Sequence, residues 1–249
     1  AHHKAYFLCE NVMPKLNVLH IDDARQTIKS IFVKNIIEAK GIKKVESMID
    51  QVILPTPHAV LLAAELLAKG YDEDVGFGDL MLADVGGATT DIYSIADGLP
   101  TQTNAMLTGL EEPYAKRTVE GDLGMRYSSL GILQAMPHTE ISHWLKMDID
   151  IVKECEKRHD DISWLPVSEH DKNIEDLLAS KCIDFALSRH VGHIKQVYTP
   201  MGMIYHQTGK DLMNVTSFIG TGGVVINSMN PQKLLEQAVY TNQPLELRP

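Results

Sequence analysis

The sequence predicts an α/β fold, because segments with the two-residue period of strands alternate along the chain with segments of helical period. The clearest feature is a pair of strands joined by a glycine-rich polar loop, between residues 80 and 95. Capped helical patterns precede it, and a mainly helical stretch follows from about Gly121 to Arg189. At about 100–200 residues per domain, 249 residues are enough for one large or two small domains.

Two helices are predicted before the strand pair. The first runs from about Asp22 to Lys40, because apolar side chains recur on one face and a glycine follows. The second runs from His58 to Lys69, with Thr56 as its N-cap and Pro57 at its first helical position. A short apolar run, 52–54, lies between the two helices.

The strand pair itself is predicted to be antiparallel. Leu80–Ala83 is typical of a buried strand, and Ile92–Ile95 alternates like a second one. The segment between them reads Asp84-Val-Gly-Gly-Ala-Thr-Thr-Asp91. Asp97-Gly98 then predicts a hairpin turn after the second strand.

The rest of the chain is predicted to be helical first and then mixed. The predicted elements are helices at His138–Met147 and Asn173–Arg189, strands at Tyr205–Gln207 and Val215–Ile219, and a last helix from Asn230-Pro231 to Val239. We expect a core made of residues 1–122 and 205–249, with a mainly helical subdomain at 123–204.

Composition excludes several classes of protein. The formal net charge of −10 argues against a nucleic-acid binder, which needs a basic surface. No apolar run reaches the roughly 18–20 residues of a membrane span, and the first residues contain no signal-peptide core. The three cysteines lie far apart and form neither a disulfide framework nor a metal knuckle, which favours the cytoplasm.

The loop between the two strands has the residue types that a phosphate site needs. Gly86 and Gly87 let backbone N–H groups approach an anion because no Cβ stands in the way. Thr89 and Thr90 add hydroxyl donors. We therefore predict a phosphate-binding loop, and a tight hairpin with capping hydroxyls is the alternative.

Asp84 adds a requirement for a cation at this loop. A carboxylate would repel a phosphate directly, so Asp84 is expected to act through Mg²⁺ or an ordered water. Asp91 closes the same motif at its other end.

Two later glycine-containing segments are less specific. Gly220-Thr221-Gly222-Gly223 follows an apolar strand and could carry the adenosine or phosphates of a nucleotide, with a purely structural turn as the alternative. Val225 stands where a dinucleotide fingerprint requires Gly or Ala. Gly209-Lys210 is not a P-loop, because Ile204 and Asp211 occupy the other required positions, so a solvated strand turn is expected.

For two polar clusters, the sequence leaves more than one interpretation open. His190 and His193 could share a metal, but no third ligand is evident, so surface or core histidines are the favoured interpretation. The mixed-charge stretch Lys116–Asp122 is either a solvated loop and helix start or a segment that brings Gly121 close to a nucleotide, with Glu120 and Asp122 ordering water or neighbouring groups.

The loop Asp84–Asp91 resembles the phosphate-2 loop of the actin/heat-shock-chaperone/sugar-kinase superfamily. Together with Ala115–Arg126 and Gly220–Gly223, it is similar to the MutL family linked to glutamate mutase, which is distinct from the mismatch-repair protein of the same short name. Asn11–Pro14 and Leu54–Pro57 also resemble that family, so the resemblance covers nearly the whole chain.

This resemblance implies an actin-like ATPase fold, that is, a ribonuclease H-like nucleotide-binding domain with a mainly helical insertion. It also implies ATP and Mg²⁺ as cofactors and a chaperone-like role in reactivating adenosylcobalamin-dependent mutases such as glutamate mutase. A reactivating factor of this kind uses ATP to expel damaged cobalamin. No nucleic-acid or membrane partner is expected.

The resemblance also implies roles for individual residues. Asp84 would hold Mg²⁺ or its water, and Asp84 and Thr89 are the expected catalytic pair. The expected nucleotide-binding set contains glycines and hydroxyl residues from all three motifs, namely Gly86, Gly87, Thr89, Thr90, Gly121, Gly220, Gly222 and Gly223.

The sequence departs from the superfamily in two places. The phosphate-1 element, Asp-x-Gly-[Ser/Thr], does not occur in 1–249, which leads us to expect that this chain lacks the first phosphate-loop domain. Many relatives carry a water-orienting Glu before the Pro of the connecting helix, where this chain has Thr56 before Pro57. ATPase activity is therefore expected of an intact protein and not of this chain alone.

Two other functions remain as alternatives. A sugar-kinase or acetate-kinase type of phosphotransferase would need a substrate cleft that the sequence does not reveal. A non-hydrolysing, nucleotide-gated interaction module is favoured by the missing Glu, whereas the threonine hydroxyls and paired aspartates argue against it.

Overall fold

The structure is a computed structural model that describes residues 5–16, 18–39, 55–200, 202–240 and 245–249, with the backbone alone for 33–39. The chain divides into two compact units, Ala1–Val60 and Leu61–Pro249. The apolar run 52–54 and the glycine after the first helix lie outside the described residues.

The first unit contains the predicted first helix, α1 (Asp22–Ala39). Asp22 and Asp23 lie in its first turn, where carboxylates are favourable beside the helix dipole. Asp23 also accepts a hydrogen bond of 2.7 Å from the Glu10 N–H. Ile28 and Phe32, on the predicted apolar face, are exposed.

The second predicted helix, α2 (Thr56–Lys69), begins in the first unit and continues into the second. Thr56 is the first residue of the helix rather than the residue before it, a difference within the usual uncertainty of helix ends. A short hairpin, β1 (Gly70–Tyr71) with β2 (Asp74–Val75), follows α2.

The remaining elements of the second unit confirm the α/β class. The strands are β3 (Leu80–Val85), β4 (Thr90–Ile95), β5 (Ala105–Leu107), β6 (Ala115–Glu120), β7 (His193–Thr199), β8 (Gly202–Thr208) and β9 (Ser217–Thr221). The helices are α3 (Ser129–Ala135), α4 (His138–Lys146), α5 (Ile151–Asp160), α6 (Glu169–His190), α7 (Gly223–Ile226) and α8 (Pro231–Val239).

The central sheet has four strands in the order β6-β4-β3-β9. Strand β4 is antiparallel to both β3 and β6, whereas β9 is parallel to β3. The antiparallel strand pair predicted at 80–95 is therefore confirmed. The carboxyl ends of β3 and β9 meet at one edge of the sheet, because parallel strands end on the same side.

Helices cover both faces of this sheet. On one face, Met81, Ala83 and Ile92 belong to a large buried cluster that also takes in the long helix α6. On the opposite face, Leu80 and Ile95 pack against Ala64 and Ala68 of α2. These clusters position the β3–β4 loop, because both strands that carry it are anchored in the core.

The helical stretch after Gly121 is confirmed as helices α3 to α6. Helix α6 begins four residues before the predicted Asn173, because Ser168 and Asp171 form a capping box. The Asn230-Pro231 start and the Val239 end of the last helix match the prediction, with the Asn230 side chain accepting from the Lys233 N–H. The division between a core and a helical subdomain stays a prediction.

A second sheet has three strands in the order β5-β8-β7. Of this sheet, the sequence predicted one strand, Tyr205–Gln207, which lies within β8. The Asp97-Gly98 hairpin turn is wrong, because the chain passes from β4 to β5 in this other sheet before returning as β6. Gly98 has a left-handed φ of +67°, and its carbonyl accepts hydrogen bonds from the Asp211 N–H and the Gln207 amide.

Within the part of the chain that the structure describes, every helix is too short or too polar to cross a membrane.

Candidate functional site

The Asp84–Asp91 motif forms the end of β3, a tight loop at 86–89 and the start of β4. Val85 pairs with Thr90 and Asp84 with Asp91 across the two strands. The Gly86 N–H closes the loop by donating to the Thr89 carbonyl at 2.9 Å. Gly87, at the tip, is exposed.

The carbonyls of the loop are held on one side by the segment 125–128. The three bonds are Met125 N–H to the Gly86 carbonyl at 3.0 Å, Arg126 N–H to the Gly87 carbonyl at 2.8 Å, and Ser128 Oγ to the Ala88 carbonyl at 2.6 Å. In a trans peptide, the C=O and the following N–H point in opposite directions. The Gly87 and Ala88 amides therefore point away from 125–128, and among the described residues they have no hydrogen-bond acceptor.

Two unpaired, exposed amides on successive residues are what an anion-binding loop requires. A Cβ at Gly87 would lie 3.6 Å from the Arg126 side chain, which is an ordinary contact, so the backbone here tolerates a side chain. At Gly86 a Cβ would lie 3.1 Å from the Thr89 carbonyl, which is a tighter fit.

Asp84 and Asp91 lie opposite each other beside this loop. Asp91 is buried, and it accepts hydrogen bonds from Arg117 Nε at 2.7 Å and from Thr89 Oγ1 at 3.2 Å. The Asp84 carboxylate is half-buried, and burial, followed by the negative charge of Asp91, raises its pKa, while Arg117 partly lowers it. Asp84 is thus the carboxylate left available to a cation.

Arg117 was not predicted as a site residue. It stands on β6 opposite Tyr93 of β4, with its guanidinium carbon 6.0 Å from the centre of the tyrosine ring. Burial raises the pKa of the Tyr93 hydroxyl to about 12, with the charge of Asp91 as the next cause. The signal that could have located Arg117 is the alternation of β6, which places it on the sheet face of Asp91.

The described residues contain no cluster of three or more side chains that could enclose a metal ion. Mg²⁺ in phosphate sites is usually held by one or two carboxylates together with phosphate oxygens and water. A single available carboxylate at Asp84 fits that kind of site and does not fit a metal centre built from protein ligands alone.

Gly121 lies beside the loop, and its approach to a nucleotide stays a prediction. The residues before it form strand β6 rather than a solvated loop. Ser128 Oγ contacts both the Ala88 carbonyl, at 2.6 Å, and the Gly121 carbonyl, at 3.0 Å. The two neighbours of Gly121 in the chain bind an arginine. Glu120 and Asp122 bind Arg189 of α6 at 2.6 and 2.7 Å.

The Gly220–Gly223 segment reaches the same edge of the sheet. Thr221 of β9 pairs in register with Asp84 of β3. Gly222 has a left-handed φ of +97°, and a Cβ there would lie 2.2 Å from the Val85 carbonyl. Glycine at 222 is therefore required by the close approach of this turn to β3, whereas a Cβ at Gly223 would meet no described atom within 4 Å.

For two of the predicted nucleotide-binding residues, the structure shows contacts within the protein itself. Thr90 is fully buried, and its hydroxyl donates to the Leu123 carbonyl at 3.0 Å. A Cβ at Gly220 would lie 2.9 Å from side chains of Val225 and Leu235, so helix packing explains this glycine. Thr56 is the first residue of α2 and lies in the first compact unit, Ala1–Val60.

The two histidines do not come together at a metal. His190 is fully buried and bonds Ser94 Oγ and Thr118 Oγ1, each at 2.8 Å, whereas His193 is exposed. Burial lowers the pKa of His190 well below its usual value, which keeps the ring neutral. A core histidine is thus the interpretation that the structure supports for His190.

The prediction that Gly209-Lys210 forms a solvated turn is wrong for Lys210. Its side chain is 1% exposed rather than solvated, and Nζ donates to the Tyr114 carbonyl at 2.8 Å. Burial lowers the pKa of Lys210 to about 8. Gly209 does take the left-handed conformation of a turn, with φ +78°.

Comparison with known proteins agrees with the sequence motifs. The chain is 48% identical over 236 residues to "Protein MutL" of Clostridium tetanomorphum, which covers 94% of this chain and 51% of that protein. The chain thus spans about half the length of this curated relative. No solved structure matches the chain. The family model described as "MutL protein" matches residues 1–249, and the chain therefore belongs to the MutL family.

Proposed function

We propose that this chain is the nucleotide-binding part of an ATP-dependent, chaperone-like reactivating factor for adenosylcobalamin-dependent mutases, such as glutamate mutase. Membership of the MutL family and the phosphate-loop motif support this proposal. We also propose that the second unit has an actin-like fold, which is compatible with a mixed sheet that has an antiparallel strand pair at its centre.

The observation that carries the proposal is the geometry of the Gly86–Ala88 loop. Its carbonyls are bound from one side, so that two unpaired amides face the other side. The half-buried Asp84 carboxylate stands at the base of the same loop, and the Gly222 turn lies against the end of β3. Amides for phosphate oxygens and one carboxylate for a cation are together the requirements of a Mg²⁺–nucleotide site.

Each residue has a definite task in this site. The Gly87 and Ala88 amides would donate to β- or γ-phosphate oxygens, whereas the Thr89 hydroxyl donates to Asp91 at 3.2 Å. Asp84 would hold Mg²⁺ or a water bound to it, and Mg²⁺ would neutralise the charge that develops on the phosphates. Arg117 neutralises Asp91, so that two adjacent carboxylates do not repel the nucleotide together.

A non-hydrolysing, nucleotide-gated module is the second candidate. Thr56 stands where the water-orienting Glu of many superfamily members is found, and a threonine hydroxyl is a poor general base. In this second candidate, binding alone would change the conformation of the protein. Turnover of ATP without any phosphate acceptor, stimulated by a mutase, separates the reactivating factor from both this module and a kinase.

The proposed localisation is the cytoplasm. All three cysteines are free thiols, with Cys155 and Cys182 buried and Cys9 exposed. Burial raises the pKa of both buried thiols to about 12, so neither is reactive.

Substitution at Gly87 tests the proposed site. Gly87→Val should abolish ATP binding by the full-length protein, measured by calorimetry, because a branched side chain packed between the loop and Arg126 turns the Gly87 and Ala88 amides away from the phosphates. The fold should persist, since the added Cβ lies at an ordinary 3.6 Å from Arg126. Ala63→Val, at an exposed position of α2, is the matched control and should bind ATP normally. Unchanged ATP affinity in Gly87→Val would contradict the proposal.

A further inference from the structure

Arg126 lies directly behind the glycine loop. Its backbone N–H donates to the Gly87 carbonyl at 2.8 Å. Its Cβ and Cγ lie 3.6 Å from the position that a Cβ of Gly87 would take, so the side chain packs against the tip of the loop. Because the Gly87 carbonyl and the Ala88 N–H belong to one peptide plane, this bond also sets the direction of the Ala88 amide.

The guanidinium of Arg126 is held in turn by helix α6. Arg126 Nη1 donates to Glu175 Oε1 and to the Met125 carbonyl, both at 2.7 Å. The side chains of Arg126 and Glu175 are only 13% and 8% exposed, so solvent screens this ion pair weakly. Arg126 therefore has little freedom to shift away from the loop.

Glu175 is itself fixed from its other side. Its Oε2 accepts from Nε of Arg158 at 2.8 Å, and Arg158 is fully buried. Arg158 also binds the Glu154 carboxylate at 2.7 Å and lies 4.6 Å from the centre of the Trp164 ring. One carboxylate on α6 thus joins two arginines, one behind the loop and one in the interior of the helical region.

We propose that Arg126, held by Glu175, is a positioning residue that orients the amides of the glycine loop toward the phosphates of the nucleotide. This inference rests on the proposed function, since it assigns how the same site is aligned. The bond from Arg126 to the Gly87 carbonyl turns the Ala88 amide outward, and Glu175 keeps Arg126 in register with the loop. Loosening the Arg126–Glu175 pair lets the Gly87–Ala88 peptide rotate, which weakens binding of the phosphates and leaves binding of the nucleoside unchanged.

The test compares ATP, ADP and adenosine binding by the full-length protein, measured by calorimetry for Glu175→Gln and Arg126→Lys. We expect both variants to lose about tenfold in affinity for ATP and ADP, the effect of one misaligned hydrogen bond to a charged group, and to bind adenosine as the unmodified protein does. Lys181→Met is the matched control, because it removes another partly buried ion pair of α6, with Glu140, and should leave all three affinities unchanged.

A second measurement does not need a nucleotide. Hydrogen exchange of the Met125 and Arg126 amides should be faster in Glu175→Gln, because these N–H groups hold the loop carbonyls. Arg126→Lys keeps the charge and the backbone, so it tests the link even if Glu175→Gln does not fold.

Equal losses for adenosine and ATP would overturn the inference, since a general loss of structure affects both ligands. Unchanged affinities together with unchanged amide exchange would also overturn it. If Gly87→Val abolishes ATP binding while Arg126→Lys does not alter it, the proposed function stands and only the role of Arg126 fails. If the unmodified protein binds no ATP, the proposed function fails, and amide exchange alone decides whether Glu175 orients the loop.

Discussion

Asp84 and Asp91 face each other across β3 and β4, but of the two only Asp91 forms an ion pair with a described residue. Arg117 lies 2.6 Å from Asp91, and the Asp84 carboxylate accepts no hydrogen bond from the described residues. The motif therefore has one structural aspartate and one available aspartate. This asymmetry assigns the two carboxylates different roles and leads to separate predictions for them.

Replacing Asp84 tests whether it acts through a cation. Asp84→Asn should reduce Mg²⁺-dependent ATP turnover by the full-length protein far more than ADP binding without metal. The loss of one cation or water contact commonly costs about 2–4 kcal/mol in the transition state. Asp79→Asn, an exposed position just before β3, is the control and should behave as the unmodified protein. Equal losses with and without Mg²⁺ would instead make Asp84 a structural residue.

Removing Arg117 should destabilise the fold. Arg117→Met leaves the buried Asp91 carboxylate unpaired beside Asp84, and we expect a loss of about 2–3 kcal/mol in the free energy of unfolding, measured with urea. The pKa of Asp84 should rise further, because Arg117 lowers it in the unmodified protein.

Arg189→Met provides the comparison for Arg117. It removes ion pairs with Asp122, which is 50% exposed, and with Glu120, which is 13% exposed, from an arginine that is itself 40% exposed, so it should cost less than Arg117→Met, about 1 kcal/mol. If the free energy of unfolding falls as much as in Arg117→Met, solvent exposure does not determine how much these ion pairs stabilise the fold. The structural role of Asp91 would then be in question.

The central strand pair could be predicted from sequence because its signals are local. Leu80–Ala83 and Ile92–Ile95 have the strand period, and adjacent glycines mark the turn between them. The helix start at Asn230-Pro231 was likewise predicted to the residue, since a cap and a proline act within one turn. The capping box at Ser168 and Asp171 was equally local and would have placed the start of α6 correctly.

Features that depend on distant residues could not be predicted. Gly209-Lys210-Asp211 is typical of a solvated turn, but Lys210 is buried by residues around Ser94 and Tyr114, about a hundred positions earlier. Arg117 becomes a partner of Asp91 only through the register of β6 against β4. Asp97-Gly98 resembles a hairpin turn, yet the next strand pairs in a different sheet. In each case a tertiary contact overrides a local pattern.

Adding a methyl group at Gly222 should destabilise the protein. Gly222→Ala places a Cβ 2.2 Å from the Val85 carbonyl in a residue with φ +97°, so both strain and overlap oppose it. We expect a loss of at least about 2 kcal/mol in the free energy of unfolding, measured with urea. Gly223→Ala is the matched control and should change stability little, because its Cβ meets no described atom within 4 Å. Equal stability of the two variants would contradict the close packing of the turn on β3.

The last prediction concerns the pH dependence of stability that Lys210 creates. Burial lowers the pKa of Lys210 to about 8 in the folded state, from its model-peptide value of 10.5. Between these two values the unfolded chain binds more protons than the folded protein, so stability rises as the pH increases from 8 to 10.5. Glu112 raises this pKa and Lys116 lowers it, and both effects are smaller than that of burial. The free energy of unfolding, followed with urea, should therefore increase by on the order of 2–3 kcal/mol across this range relative to a Lys210→Met variant. Lys195→Met, which replaces an exposed lysine of β7, should retain the full pH dependence of the unmodified protein. If the free energy of unfolding depends on pH with the same slope in Lys210→Met and in the unmodified protein, the Lys210 ammonium is not desolvated. The burial of Lys210 against Tyr114 would then be wrong.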